Sequence, residues 1–175
     1  MARFCRFLLL AVLGFSLGSA DAFAQRGDDS ERASKNGKTE AEIDGVNVVL
    51  EYGRPNVKGR QVWGDLVPFG EVWRTGANEA TTISFDKPVT IEGEPLDAGT
   101  YGLFTIPGEE EWVFIFNNTA EQWGAFNYDS EQDALRVTVS PESGEHVESM
   151  DFVADGSMIK LRWLEKVVPF TVAAQ

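Results

Sequence analysis

Cysteine is nearly absent from this chain: the single one is Cys5, close to the N-terminus. A cysteine nucleophile or a disulfide framework in the folded part is thereby excluded. Histidine is as scarce. The one residue, His146, sits in the polar turn ESGEHVES between Glu145 and Glu148. A multi-histidine metal site within one chain is impossible. A Ser-His-Asp triad would have to be built on His146, whose surroundings read as those of a solvated turn residue. Positive charge is also in short supply, with 15 Lys and Arg against 28 Asp and Glu and a formal net charge of −13. So acidic a surface repels nucleic acid and anionic membrane, and neither is expected as a partner.

Long apolar runs are missing except near the start. Phe7–Leu17 is apolar apart from Gly14 and Ser16, follows Arg3 and Arg6, and leads to Ala22-Phe23-Ala24, an A-x-A cleavage site. Residues 1–24 therefore read as a secretory signal peptide, with Gln25 as the new N-terminus. The run is short of the roughly 20 residues that a membrane span needs, and no later stretch approaches that length. The expectation is an exported protein, periplasmic or extracellular, and not an integral membrane protein once the signal is removed. Loss of the signal takes Cys5 with it and makes the net charge one unit more negative.

Residues 25–39 (QRGDDSERASKNGKT) hold one apolar side chain, Ala33. Such a composition predicts a disordered linker, with the folded domain covering 40–175. Helical periodicity is absent throughout that domain. Short alternating segments with turn signals between them predict about eight to ten strands: an all-β, single antiparallel β-sandwich, with a β-barrel as the alternative. Asp44-Gly45 joins Ala41–Ile43 to Val46–Tyr52 as one hairpin, and Asp155-Gly156 joins Val147–Ala154 to Ser157–Leu164 as another. Val167–Val172 reads as a last strand, with Pro169 placing it at an edge.

Between the cleaner strands lies a long non-repetitive stretch, Tyr52 to Glu79. Long specific loops on a rigid scaffold are where binding residues concentrate. Its candidate ligand-binding residues are Arg54, Arg60, Trp63, Trp73, Arg74, Asn78 and Glu79. Arginine forks and amides hold carboxylates and hydroxyls in fixed geometry, and indole faces stack on flat or sugar-like ligands. The competing structural reading makes Trp63 and Trp73 core residues and pairs Arg74 with Glu79 or Glu71 to fasten the loop. A weaker pattern, Asn127-x-Asp129-x-Glu131-x-Asp133, sets oxygen ligands at alternate positions as a candidate metal site, without the glycine of an EF-hand loop. No phosphate-binding glycine loop and no dinucleotide fingerprint occurs, so no cofactor is expected.

The segments YGRPNVKGR (52–60), WGDLVPFGEVWRTGANEAT (63–81), DAGTYGLFTIPGEEEW (97–112), FIFNN (114–118) and QWG (122–124) resemble those of the domain of unknown function 2911 family, uncharacterised exported bacterial proteins. The resemblance implies export and a β-rich fold. It implies no activity, substrate or catalytic residue. Three readings of function follow from the residues: a non-enzymatic binding domain for a polar ligand, carbohydrate or a cell-envelope component; a glycan-acting hydrolase using paired carboxylates such as Glu71 and Glu79; and a structural or interaction module with no small ligand. The residues leave the oligomeric state open.

Overall fold

The computed structural model describes residues 26–175; the expected signal peptide, 1–24, lies outside the described residues. Among the described residues ten strands form: β1 (Lys35–Ile43), β2 (Val46–Arg54), β3 (Thr81–Phe85), β4 (Val89–Ile91), β5 (Glu94–Leu96), β6 (Gly99–Ile106), β7 (Trp112–Asn117), β8 (Asp133–Val139), β9 (Glu142–Asp155) and β10 (Met158–Ala174). A single 3₁₀ turn, Ser130–Gln132, is the one helical element among the described residues. The strands make two antiparallel sheets, ordered β1-β2-β3-β6-β7-β8 and β5-β4-β10-β9. They pack as a sandwich and do not close into a barrel.

Period-two patterning puts the core between the sheets. From the larger sheet, Val46, Val48, Leu50, Ile83, Phe85, Leu103, Phe114 and Phe116 point inward; Ile159, Leu161, Trp163, Phe170 and Val172 of β10 meet them. Phe114 lies 4.8 Å, centroid to centroid, from Phe170. The seam is also polar at one place: Tyr52 packs edge-on against Phe152, and its hydroxyl accepts from the Phe152 backbone N–H at 3.2 Å. Strand β6 is buried on both faces, because the chain between β2 and β3 and the chain between β7 and β8 cover the outer face of its sheet. Ala80, Phe104 and Ile115 form a second small core there, with Val72, Ala125 and Tyr128 packed on it.

Both hairpins form: Asp44 (φ 51°) and Gly45 (75°) make the first turn, while in the second Asp155 ends β9 and pairs with Met158, so the two turn residues are Gly156 (φ 59°) and Ser157. Two expectations differ from the structure. Residues 35–39, assigned by composition to a disordered linker, pair with Leu50–Arg54 as the first half of β1. Residues 26–34 lie against the larger sheet, fastened by arginines described below. The Val167–Val172 segment is no edge strand. It is the second half of the 17-residue β10, which lies between β9 and β4. Pro169 is tolerated because it falls between the two pairings. Residues 158–167 of β10 pair with β9, and Val172–Ala174 pair with β4.

Candidate functional site

The long stretch after β2 runs over one end of the sandwich and is pinned residue by residue. Trp73 exchanges two backbone hydrogen bonds with Thr105 of β6, 2.7 and 2.9 Å, and Gly70 N–H donates to Pro107 O at 2.8 Å. Thr75 is buried at φ +56°, a conformation that is a genuine outlier for a β-branched residue. Its hydroxyl, with one proton to give, lies within hydrogen-bond distance of Thr105 Oγ1 (3.1 Å) and Trp73 O (3.3 Å), and its carbonyl accepts from Thr81 Oγ1 at 2.7 Å. The neighbouring Ala77 presses on Gly53 of β2. A Cβ on Gly53 would stand 2.0 Å from Ala77 O, so only glycine fits.

Four of the five tryptophans meet beneath this loop. Trp63 packs edge-on against Trp112 at 5.1 Å and Trp163 at 5.5 Å, and Trp73 stacks on Trp163 at 6.0 Å with planes 17° apart. Trp73 also donates its indole N–H to Gly76 O at 3.2 Å. The indole nitrogens of Trp63 and Trp163 are buried and have no hydrogen-bond partner among the described residues.

Above the cluster is a cavity of about 170 Å³, lined by Arg60, Leu66, Trp73, Arg74, Ala77 and Trp163 among others. Arg74 is half-buried. Its guanidinium makes no salt bridge among the described residues, and its Nε is buried without a partner. Burial pushes the Arg74 guanidinium below its ordinary pKa, with no opposing charge to raise it. Arg60, exposed at the same cavity, donates to the carbonyls of Val57 (3.1 Å) and Asn56. Arg54 donates to Met150 O at 3.1 Å. By contrast Arg26, Arg32, Arg136 and Arg162 each reach a carboxylate.

The seven residues singled out in the sequence thus separate into groups. Arg60, Trp73 and Arg74 share the cavity, and Trp63 supports it from the tryptophan cluster. Arg54 faces β9 instead. Asn78 and Glu79 hold the N-terminal segment. Asn78 Nδ2 donates to Ser34 O at 3.1 Å. Glu79 takes a two-pronged bond from Arg32 (2.7 and 2.8 Å) and a longer one from Arg26 at 3.4 Å. This corrects the structural alternative in which Glu79 or Glu71 pairs with Arg74: Glu79 is occupied, and Glu71 is exposed and forms no salt bridge among the described residues. Desolvation raises the Glu79 pKa, but the Arg32 bond and charge outweigh it and the net shift is downward.

Asp129 and Asp133 are likewise committed. Asp129 caps the 3₁₀ turn by accepting from Glu131 N–H at 3.0 Å. Asp133 accepts from Asn117, Tyr128 and Arg136 at 2.7, 2.7 and 2.8 Å. Among the described residues no group of three or more His, Cys, Asp or Glu is placed to hold a metal ion. Sequence reasoning missed Trp163, whose alternation with Ile159 and Leu161 marked it only as core. It also missed Arg26 and Arg32, whose sole signal was positive charge inside a polar tail.

An antiparallel sandwich with a pinned loop and a cavity lined by that loop and by Trp163 of β10 defines a small β-rich domain. The family model described as protein of unknown function (DUF2911) matches residues 34–172, and the chain belongs to that family. No curated protein and no solved structure matches it.

Proposed function

We propose that this is an exported, non-enzymatic binding domain, and that the Arg74 cavity receives a polar ligand, a carbohydrate or another cell-envelope component. The observation that carries the reading is the unpaired guanidinium of Arg74. A half-buried charge is costly unless it is paired and hydrogen-bonded. In a chain with 28 acidic residues a carboxylate partner was available to selection, yet none stands at Arg74. A site that meets its counter-charge only when a ligand arrives accounts for this. The strained Thr75 beside it points the same way, because backbone outliers cluster where a binding geometry must be fixed.

The hydrolase reading loses support at Glu79. A glycosidase acid needs a raised pKa so that it holds its proton. Glu79 is instead gripped by Arg32 with its pKa depressed. A purely structural clamp loses support because Arg74 fastens nothing through its side chain. The test is a thermal-shift screen of the wild-type protein against glycans, peptidoglycan fragments and divalent ions. A ligand that binds only the folded state raises Tm by mass action, about 2.7 kcal/mol of stabilisation at a hundredfold excess over Kd. The binding reading predicts at least one organic hit that Arg74→Met abolishes. A screen without such a hit refutes it.

A further inference from the structure

The geometry points to a carboxylate as the group that the cavity recognises: the ligand is a small organic monoanion whose carboxylate meets Arg74, with Arg60 as a second cation at the cavity. This rests on the reading of the cavity as a ligand site and adds the chemical class.

Four observations carry it. First, Arg74 and Arg60 line one cavity and neither makes a salt bridge among the described residues, while none of the loop's acidic residues lines it: Asp65 and Glu71 are exposed, and Glu79 is taken by Arg26 and Arg32. A guanidinium presents parallel N–H donors that match the two oxygens of a planar carboxylate. Secondly, Arg60 is already held by two backbone carbonyls, so it is oriented before a ligand arrives. Thirdly, the rest of the wall is mainly apolar or aromatic, with Leu66, Val67, Trp73, Ala77 and Trp163 against one further polar side chain, Ser34. That suits an anion with an organic body. A phosphate site ordinarily draws on a helix N-terminus or a glycine-rich nest of backbone N–H groups, and the described residues contain no α-helix. Fourthly, size sets a limit. An engineered cavity of about 150 Å³ accepts one benzene ring, and this one measures about 170 Å³. One ring-sized unit fits, and a larger glycan would extend out past Arg60.

Two sources supply such a carboxylate in a cell envelope, an acidic sugar and the carboxyl end of an acylated amino acid. The experiment titrates the wild-type protein with D-glucuronate, N-acetylalanine, D-glucose and inorganic phosphate, followed by tryptophan fluorescence and by calorimetry. Arg74→Met and Arg74→Lys are titrated alongside, each shown to be folded by its thermal melt. The inference predicts saturable binding of D-glucuronate or N-acetylalanine, and which of the two binds assigns the source. Affinity should fall about ten- to a hundredfold in Arg74→Met, the range for a lost charge-assisted bond. It should be restored only in part by Arg74→Lys, which keeps the charge and loses the fork. Equal binding of D-glucose, insensitive to Arg74→Met, overturns the carboxylate and leaves the binding reading standing. Phosphate binding tighter than both carboxylates overturns it in favour of a phosphate site. No binding of any of the four, together with an empty thermal-shift screen, overturns the inference and the binding reading together.

Discussion

Replacing Glu79 by Gln should release the N-terminal segment while leaving the sandwich folded. Glu79 is the one carboxylate that Arg26 and Arg32 share. Arg26 is nearly enclosed, its side chain 7% exposed. It also donates to the carbonyls of Ala80 (2.6 Å) and Glu51 (3.0 Å), which no change at Glu79 removes. Arg32 lies over the exposed ring of Trp123, 5.8 Å from its centroid. The loss is therefore that of a partly buried, two-pronged ion pair, between the range for surface pairs, about 0.2–1 kcal/mol, and that for hydrogen bonds to charged groups, about 1.5–3 kcal/mol. We take about 2 kcal/mol. Because residues 26–34 can peel away without opening the core, this figure is a free energy of local undocking first and of global unfolding second. Limited trypsin digestion reads it directly. Where closing outpaces cleavage, the rate at Arg32 follows the open population, so about 2 kcal/mol appears as roughly thirtyfold faster cutting. Tm should fall by about 4–8 °C. Acid should mimic the substitution. The folded pKa of Glu79 is depressed below its ordinary 4.5, so docking is fully supported above that value and is lost as pH falls through the depressed one. Wild-type cleavage should accelerate on acidification below about pH 4.5, read with an acid-active protease, while Glu79→Gln stays flat. Equal cleavage rates for the two proteins at neutral pH would refute the latch.

Gly53→Ala should cost about 3 kcal/mol, the upper end of the range for overpacking, and should be seen as a Tm loss of about 6 °C or more or as insoluble expression. A Tm within 2 °C of wild type would mean that β2 and the Ala77 segment are not in contact. His146 is exposed and its Nδ1 lies 2.8 Å from Glu165 Oε1, with Glu148 nearby, so its pKa lies above the usual 6.5. An NMR titration should show this, and Glu165→Gln should bring the midpoint back down. The small stabilisation from this pair is present at low pH and fades as pH rises through the raised value. Tyr128 is pushed up to about 12, by desolvation first and by its bond to Asp133 second. Ultraviolet titration should find a tyrosine ionising near pH 12, and Asp133→Asn should lower its midpoint.

The sandwich was legible in the sequence wherever one face of a strand is buried and the other is wet, as in Val46 to Tyr52 and Ile159 to Trp163. There the two-residue period carries the whole signal. It was less legible where the environment is set by distant chain. The β1 residues Lys35–Thr39 are polar and intermediate to exposed in burial. Their strand is imposed by pairing with β2, and composition alone gave a tail. Pro169 misled for a related reason: proline forbids a ladder bond at one position, but a long strand that changes neighbours has such a position to spare. At the candidate site, three of the residues singled out, Arg60, Trp73 and Arg74, line one cavity. Sequence could not tell which arginine meets a carboxylate, because the decisive partner of Glu79 lies 47 residues upstream.

Arg74 owes its position to backbone, and this is what makes an unpaired cation tolerable there. On one side of it Trp73 is fixed by two bonds to β6 and by stacking on Trp163. On the other side Thr75 is forced to positive φ and anchored by its hydroxyl and carbonyl. Holding such a residue costs about 1–3 kcal/mol, and burying the guanidinium beside it adds a further penalty. Both are offset by the surrounding core: the tryptophan cluster and the Gly53–Ala77 contact are formed whether or not Arg74 finds a counter-ion. A loop that relied on an Arg74 ion pair for its shape would collapse with the ligand absent. This loop is shaped by bonds that leave the guanidinium uncommitted. A ligand would therefore meet a donor carried on backbone already in place, with little backbone entropy left to lose on binding.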